Sequence, residues 1–142
     1  MTAKEYLSKI QKMRRLLHSL ELRAEELRTQ AEGVKAIRYD GDKVQVSPTN
    51  MMEKLVPLLV EVEEEYGRQV LKYHEAVLIR IRQIEALSAQ SAELLTLRYI
   101  DGLSLWKVSK RMHLSFDRVR HLHGIALEEF RKRWRKLKDD TF

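Results

Sequence analysis

Apolar residues recur along the first third of the chain at Ala3, Tyr6, Ile10, Met13, Leu17, Leu20, Ala24, Leu27, Ala31 and Val34. The steps alternate between three and four, the a/d pattern of a heptad, held long enough to predict one helix over 3–33 with a coiled-coil seam. Thr2 can cap its start, with Glu5 as the reciprocal partner of a capping box. Gly33 is the place where it should fray or stop. Such a helix would be roughly 46 Å long at the α-helical rise. It cannot bury its seam alone and needs a partner.

Residues 38–50 break the pattern. Asp40-Gly41 is a turn dipeptide, Ser47-Pro48 a loop signal, and Thr49 or Asn50 can cap the second helix. From 51 to 87 the apolar positions are Leu59, Val62, Tyr66, Val70, Tyr73, Val77, Ile81 and Ile84. Their spacing repeats every eleven residues, which favours a straight or slightly right-handed seam. Pro57 should kink this helix near its start, because it lacks a backbone donor. The short connection lets the two helices fold back antiparallel as a hairpin. Pairing of the first helix between subunits stays open. Glu61, Glu63, Glu64 and Glu65 form an acidic cluster, but consecutive helical residues point in different directions. Ion pairing with the first helix or a solvated face suits them better than a cation site.

In the last third, Ser88 or Ser91 can cap a short helix carrying Leu94, Leu95 and Leu97, which ends at Tyr99 before an Asp101-Gly102 turn. Ser104 can cap a helix over 105–112 with Leu105, Val108 and Met112 inward. After His113-Leu114, Ser115 can cap a final helix with Val119, Leu122, Leu127 and Phe130 inward. Two helices joined by a few residues, the second capped and basic, match a helix-turn-helix. The organisation expected is a hairpin over 1–87, which oligomerises, and a DNA-binding domain over 88–142. The fold class is all-α.

Composition narrows the function. The 142 residues carry no cysteine, which excludes disulfides, thiol catalysis and thiolate metal sites. Two prolines and five glycines are too few for a turn-rich β fold. The longest apolar run, Leu55 to Val60, is far short of a membrane span, and the first residues have no apolar core of a secretory signal. A soluble intracellular protein is expected, with no membrane partner. The net charge is +6, and it is concentrated: 105–138 holds eleven Lys and Arg against three Asp and Glu. A local excess of this size points to a polyanion. The five histidines form no metal set, and neither a Gly-rich phosphate loop nor a nucleophile elbow is present. No enzyme activity, metal or cofactor is implied.

The runs Leu94-Leu95-Thr96-Leu97-Arg98-Tyr99-Ile100-Asp101-Gly102-Leu103-Ser104-Leu105, Leu114 to Val119, and Ala126-Leu127 resemble region 4 of bacterial sigma factors over about 87–131. That module is the helix-turn-helix that reads the −35 promoter element. Leu122 to Leu127, the opening MTAKEYL and the Ser-Pro linker look more narrowly like small phage-encoded regulators, the late-gene activators of the RinA and ArpU type. Two positions depart from the family. Phe116 stands where arginine is frequent, and Ile125 where a basic residue is common, so the resemblance does not carry over a standard −35 target. Nothing resembles a promoter-melting region.

The resemblance implies that Asp117 and His121 contact bases, and that Arg118 and Arg120 contact phosphates or flank the bases. Helix geometry places Phe116, Asp117, Arg118, Arg120 and His121 together off the Val119–Leu122 core face, and all five are candidate base contacts. A carboxylate accepts from cytosine N4, arginine donates twice to guanine, and a phenyl ring packs on a thymine methyl. Asp117 has a simpler alternative role as a helix N-terminal charge. Ser104, Lys107, Lys110, Arg111, Ser115, Arg131 and Arg135 are candidate phosphate contacts, which position without reading sequence. Trp106 falls on the exposed side of its helix, where a core plug or a partner contact are its alternative roles. The basic run Arg131–Lys138 can extend the last helix along the backbone or simply solubilise the end.

The expectation is a sequence-specific regulator of phage or prophage transcription, DNA-associated in a bacterial cytoplasm. Residues 3–34 and 55–84 would join it into a homo-oligomer, a dimer by preference. A small terminase-like packaging subunit and a module that grips RNA polymerase without reading DNA are the alternatives.

Overall fold

A computed structural model describes residues 1–39 and 48–135, of which 35–39, 48 and 49 are described by their backbone alone. Among them are five α-helices and no strand: α1 (Ala3–Tyr39), α2 (Pro48–Glu85), α3 (Ala89–Leu95), α4 (Leu105–Met112) and α5 (Phe116–Arg133). A π-helical turn, Thr96–Ile100, continues α3. The architecture is all-α, an N-terminal helical hairpin followed by a helix-turn-helix. No described helix is long and apolar enough to cross a membrane.

The capping box forms as the sequence predicts. The Glu5 amide donates to Thr2 Oγ1 at 3.1 Å, and the Thr2 amide donates to Glu5 at 2.9 Å. The end of α1 differs. The helix passes Gly33 and runs to Tyr39. One interior glycine costs a helix only about 1 kcal/mol, and Val34 next to it is buried in the seam. The second boundary differs too, because α2 starts at Pro48, leaving Thr49 and Asn50 inside the helix. Proline at the first helical position loses no bond, since that donor has no intrahelical partner. The Ser-Pro signal therefore marks a helix start. Pro57 lies inside α2, which continues past it. The Asp40-Gly41 turn lies outside the described residues.

The chain divides into two compact units, Arg15–Leu71 and a second made of Met1–Arg14 with Lys72–Phe142. In the first, α1 and α2 of the same chain lie antiparallel. Arg28 donates twice to Glu63, at 2.7 and 3.2 Å, and Ala24 and Val34 are buried on the seam. Glu65 accepts from Arg68 and from Gln69. The acidic cluster thus spends itself partly on ion pairs, and no group able to hold a metal ion occurs among the described residues.

The second unit wraps α5 with α3 and α4, and its core takes in the start of α1 and the end of α2. Leu7, Ile10, Ala76 and Ile84 are fully buried with Leu94, Val108, Val119 and Phe130. Arg80 is also 0% exposed. Its guanidinium donates to the Tyr6 carbonyl at 2.9 and 3.1 Å and to Ala76 O at 3.3 Å, and it lies 4.0 Å from the centre of the Tyr6 ring. Burial pulls its pKa below the usual arginine value. The carbonyls and the ring face replace the water it gives up.

Candidate nucleic-acid interface

The site is built from two capped helices and the turn between them. Ser104 Oγ accepts from the Lys107 amide at 3.3 Å, and Ser115 Oγ from the Arg118 amide at 3.1 Å. Both capping serines are the ones the sequence marks. The connection is tight because His113 adopts a left-handed conformation, φ 56°, and the Leu114 amide returns to the Ser109 carbonyl at 3.0 Å. This is the helix-ending geometry that glycine usually supplies.

Val119, Leu122, Ala126 and Phe130 anchor α5 in the core. Leu105 and Met112 are partly buried against it, and Val108 fully. With that face committed, Phe116, Asp117, Arg118, Arg120 and His121 all emerge on the exposed side of the helix. Phe116 is 42% exposed. Arg120 reaches Asp117 at 4.0 Å and lies 5.7 Å from the Phe116 ring centre. An ion pair that long between exposed side chains is weak. It yields readily to a stronger partner.

The candidate phosphate contacts fall into two groups. Lys107, Lys110 and Arg111 are exposed on α4, where the Lys110 ammonium sits 5.0 Å from the Trp106 ring centre. Ser104 and Ser115 use their hydroxyls as caps, which leaves their backbone at the helix starts. Arg131 is held by Glu128 through two bonds, at 2.5 and 3.0 Å, so much of its charge is locally balanced. Arg135 is exposed. The last helix ends at Arg133 instead of extending along the basic run, and Lys136 and Lys138 lie outside the described residues.

Several supporting contacts cross between elements and have no signature in sequence. Glu129 on α5 accepts from the Ser88 amide at 2.7 Å, Ser88 Oγ at 3.0 Å and Ser91 Oγ at 2.7 Å. It caps α3 from outside, where Ser88 itself makes no side-chain cap. These bonds lower the Glu129 pKa. At the other end, the π-helical turn is met by α1. Gln11 donates to the Tyr99 carbonyl at 2.9 Å, and Arg14 to the Ile100 carbonyl at 2.6 Å and the Asp101 carbonyl at 3.3 Å. Arg14 also donates to the Tyr73 hydroxyl at 2.8 Å. Behind α5, His123 Nε2 and the Tyr99 hydroxyl share a 2.7 Å hydrogen bond. Burial above all, then the Arg98 and Lys4 cations, hold the His123 pKa below the ordinary imidazole value.

Residues 83–132 match the model of a family described as Sigma-70, region 4. No curated protein matches the chain significantly, and no solved structure does. The match spans the end of α2 through nearly all of α5. Residues 83–132 are therefore a sigma-region-4-like helix-turn-helix, a DNA-binding module of transcription regulation.

Proposed function

We propose that this protein is a sequence-specific regulator of phage or prophage transcription that acts in the bacterial cytoplasm. Its α5 enters the major groove of duplex DNA, and it neither melts promoters nor catalyses a reaction. One observation carries the reading. Within a module of the region-4 kind, α5 turns Phe116, Asp117, Arg118, Arg120 and His121 outward together, while Val119 and Leu122 fix its other face. That side-chain set is chemically able to read base edges, and Lys107, Lys110 and Arg111 on α4 supply charge for the flanking phosphates. Phe116 in place of the usual arginine gives the target a thymine methyl in place of a guanine. The hairpin of α1 and α2 serves dimerisation, which would place two such helices on paired half-sites. RNA polymerase is the natural further partner of a module of this kind.

The test is selection of bound duplexes from a random library at low and near-physiological salt. An enriched motif that survives salt, and is lost when Arg118→Ala and Arg120→Ala are combined, supports base readout. Binding without enrichment that vanishes with salt reduces the interaction to backbone electrostatics and refutes sequence-specific regulation.

A further inference from the structure

Trp106 is 56% exposed, although tryptophan is the largest apolar side chain and the chain holds only two. The other, Trp134, is partly buried and donates its indole N–H to the Gln83 carbonyl at 3.1 Å. Trp106 lines a shallow groove of about 240 Å³ together with Leu103, Lys107, Lys110 and Arg111. The lining is therefore two apolar side chains among three cations. The α4 segment that supplies most of it contains no acidic residue. The indole does little for the fold, since α4 is anchored by Val108 and Ser109, its two buried residues.

We propose that this groove is a seat for one strand of duplex DNA, with the Trp106 indole packed on deoxyribose between phosphates held by Lys107, Lys110 and Arg111. This rests on the DNA-binding reading above and adds a residue to it. The chemistry fits a sugar-phosphate backbone because that polymer alternates apolar sugar with anionic phosphate, and the groove alternates apolar ring with cation. The groove sits on the first helix of the helix-turn-helix, the element that lies across the backbone when the second helix is in the major groove. Lys110 over the indole keeps a cation close to the ring and adds a positive edge to the platform.

The experiment uses the full chain labelled with fluorotryptophan, a mixed-sequence duplex as probe, fluorescence anisotropy of the duplex for binding, and fluorine NMR for location. The Trp106 resonance is assigned by its loss in Trp106→Phe. The expected result is that the duplex shifts the Trp106 resonance, and by more than that of the partly buried Trp134. Trp106→Ala should then weaken affinity about tenfold, the scale of one anchoring side chain at an interface, with Trp106→Phe retaining most of it. Anisotropy that rises while the Trp106 resonance stays fixed overturns this inference and leaves the DNA-binding reading standing. No anisotropy change at low salt removes the DNA-binding reading, and the inference falls with it. A shift produced by polyglutamate but not by the duplex overturns it in favour of an acidic protein contact.

Discussion

Single residues set the sharpest constraints on the helix-turn-helix. Gly102 has φ 76°, and a Cβ there would meet the Gln11 side chain at 2.8 Å and Arg14 at 3.1 Å. Gly102→Ala therefore meets backbone strain and also displaces the two side chains that reach the carbonyls of the π-helical turn. A loss of about 1–2 kcal/mol in urea unfolding is expected. His113 presents the opposite case, a Cβ-bearing residue already in the left-handed region. His113→Gly should stabilise by about 1 kcal/mol, read as a higher midpoint at unchanged m-value. His123 gives a pH signature. Burial in the fold lowers its pKa from 6.5. The unfolded chain takes up the proton first as pH falls, so this contribution is complete above the unfolded pKa and is lost on acidification through 6.5 toward the lower folded value. Unfolding titrations should show stability flat above about pH 7.5 and falling below about 6.5, before Glu129 begins to protonate, and His123→Gln should flatten that slope.

At the scale of elements, the helices were legible in the sequence where the signal is local. The Thr2–Glu5 box and the serines at 104 and 115 were readable because a cap needs only residues three apart. Both seams were readable because helical periodicity shows which face is covered. The boundaries at Gly33 and Ser47-Pro48 misled because each residue type has two helical meanings, and tertiary burial or position decides between them. The cap that Glu129 provides for α3 was invisible because its partners lie some forty residues away. Glu129→Gln keeps the size and one acceptor but removes the charge that draws three donors. It should cost about 1–2 kcal/mol, with the loss confined to the unit containing α3 and α5. Hydrogen exchange at the first amides of α3 would localise it, and unchanged protection there would show that the cap contributes nothing.

At the scale of the molecule, the helix-turn-helix depends on residues far from it in sequence. The compact unit that holds it includes Met1–Arg14, and Leu7 and Ile10 are fully buried in its core with Val119 and Phe130. Leu7 does not fall on the heptad seam, so the pattern that reveals α1 hides this contact. Arg80 is hidden for the same reason, a cation beside a seam that reads as surface until the Tyr6 carbonyl and ring are known to face it. The start of α1 is therefore part of the unit that carries the helix-turn-helix, whatever else the hairpin does. The core behind the surface that α5 presents is completed by the start of α1. Leu7→Ala should therefore cost about 3 kcal/mol through the cavity it leaves. Both tryptophans lie in the affected unit, so their emission during urea unfolding reports it directly. The same variant should lose the proposed duplex binding in proportion to the unfolded fraction, although no residue of the proposed DNA face has changed. Leu27→Ala, in the other unit, should leave the tryptophan transition nearly in place. If instead Leu7→Ala left that transition unmoved, the helix-turn-helix would be self-sufficient and α1 would serve only assembly.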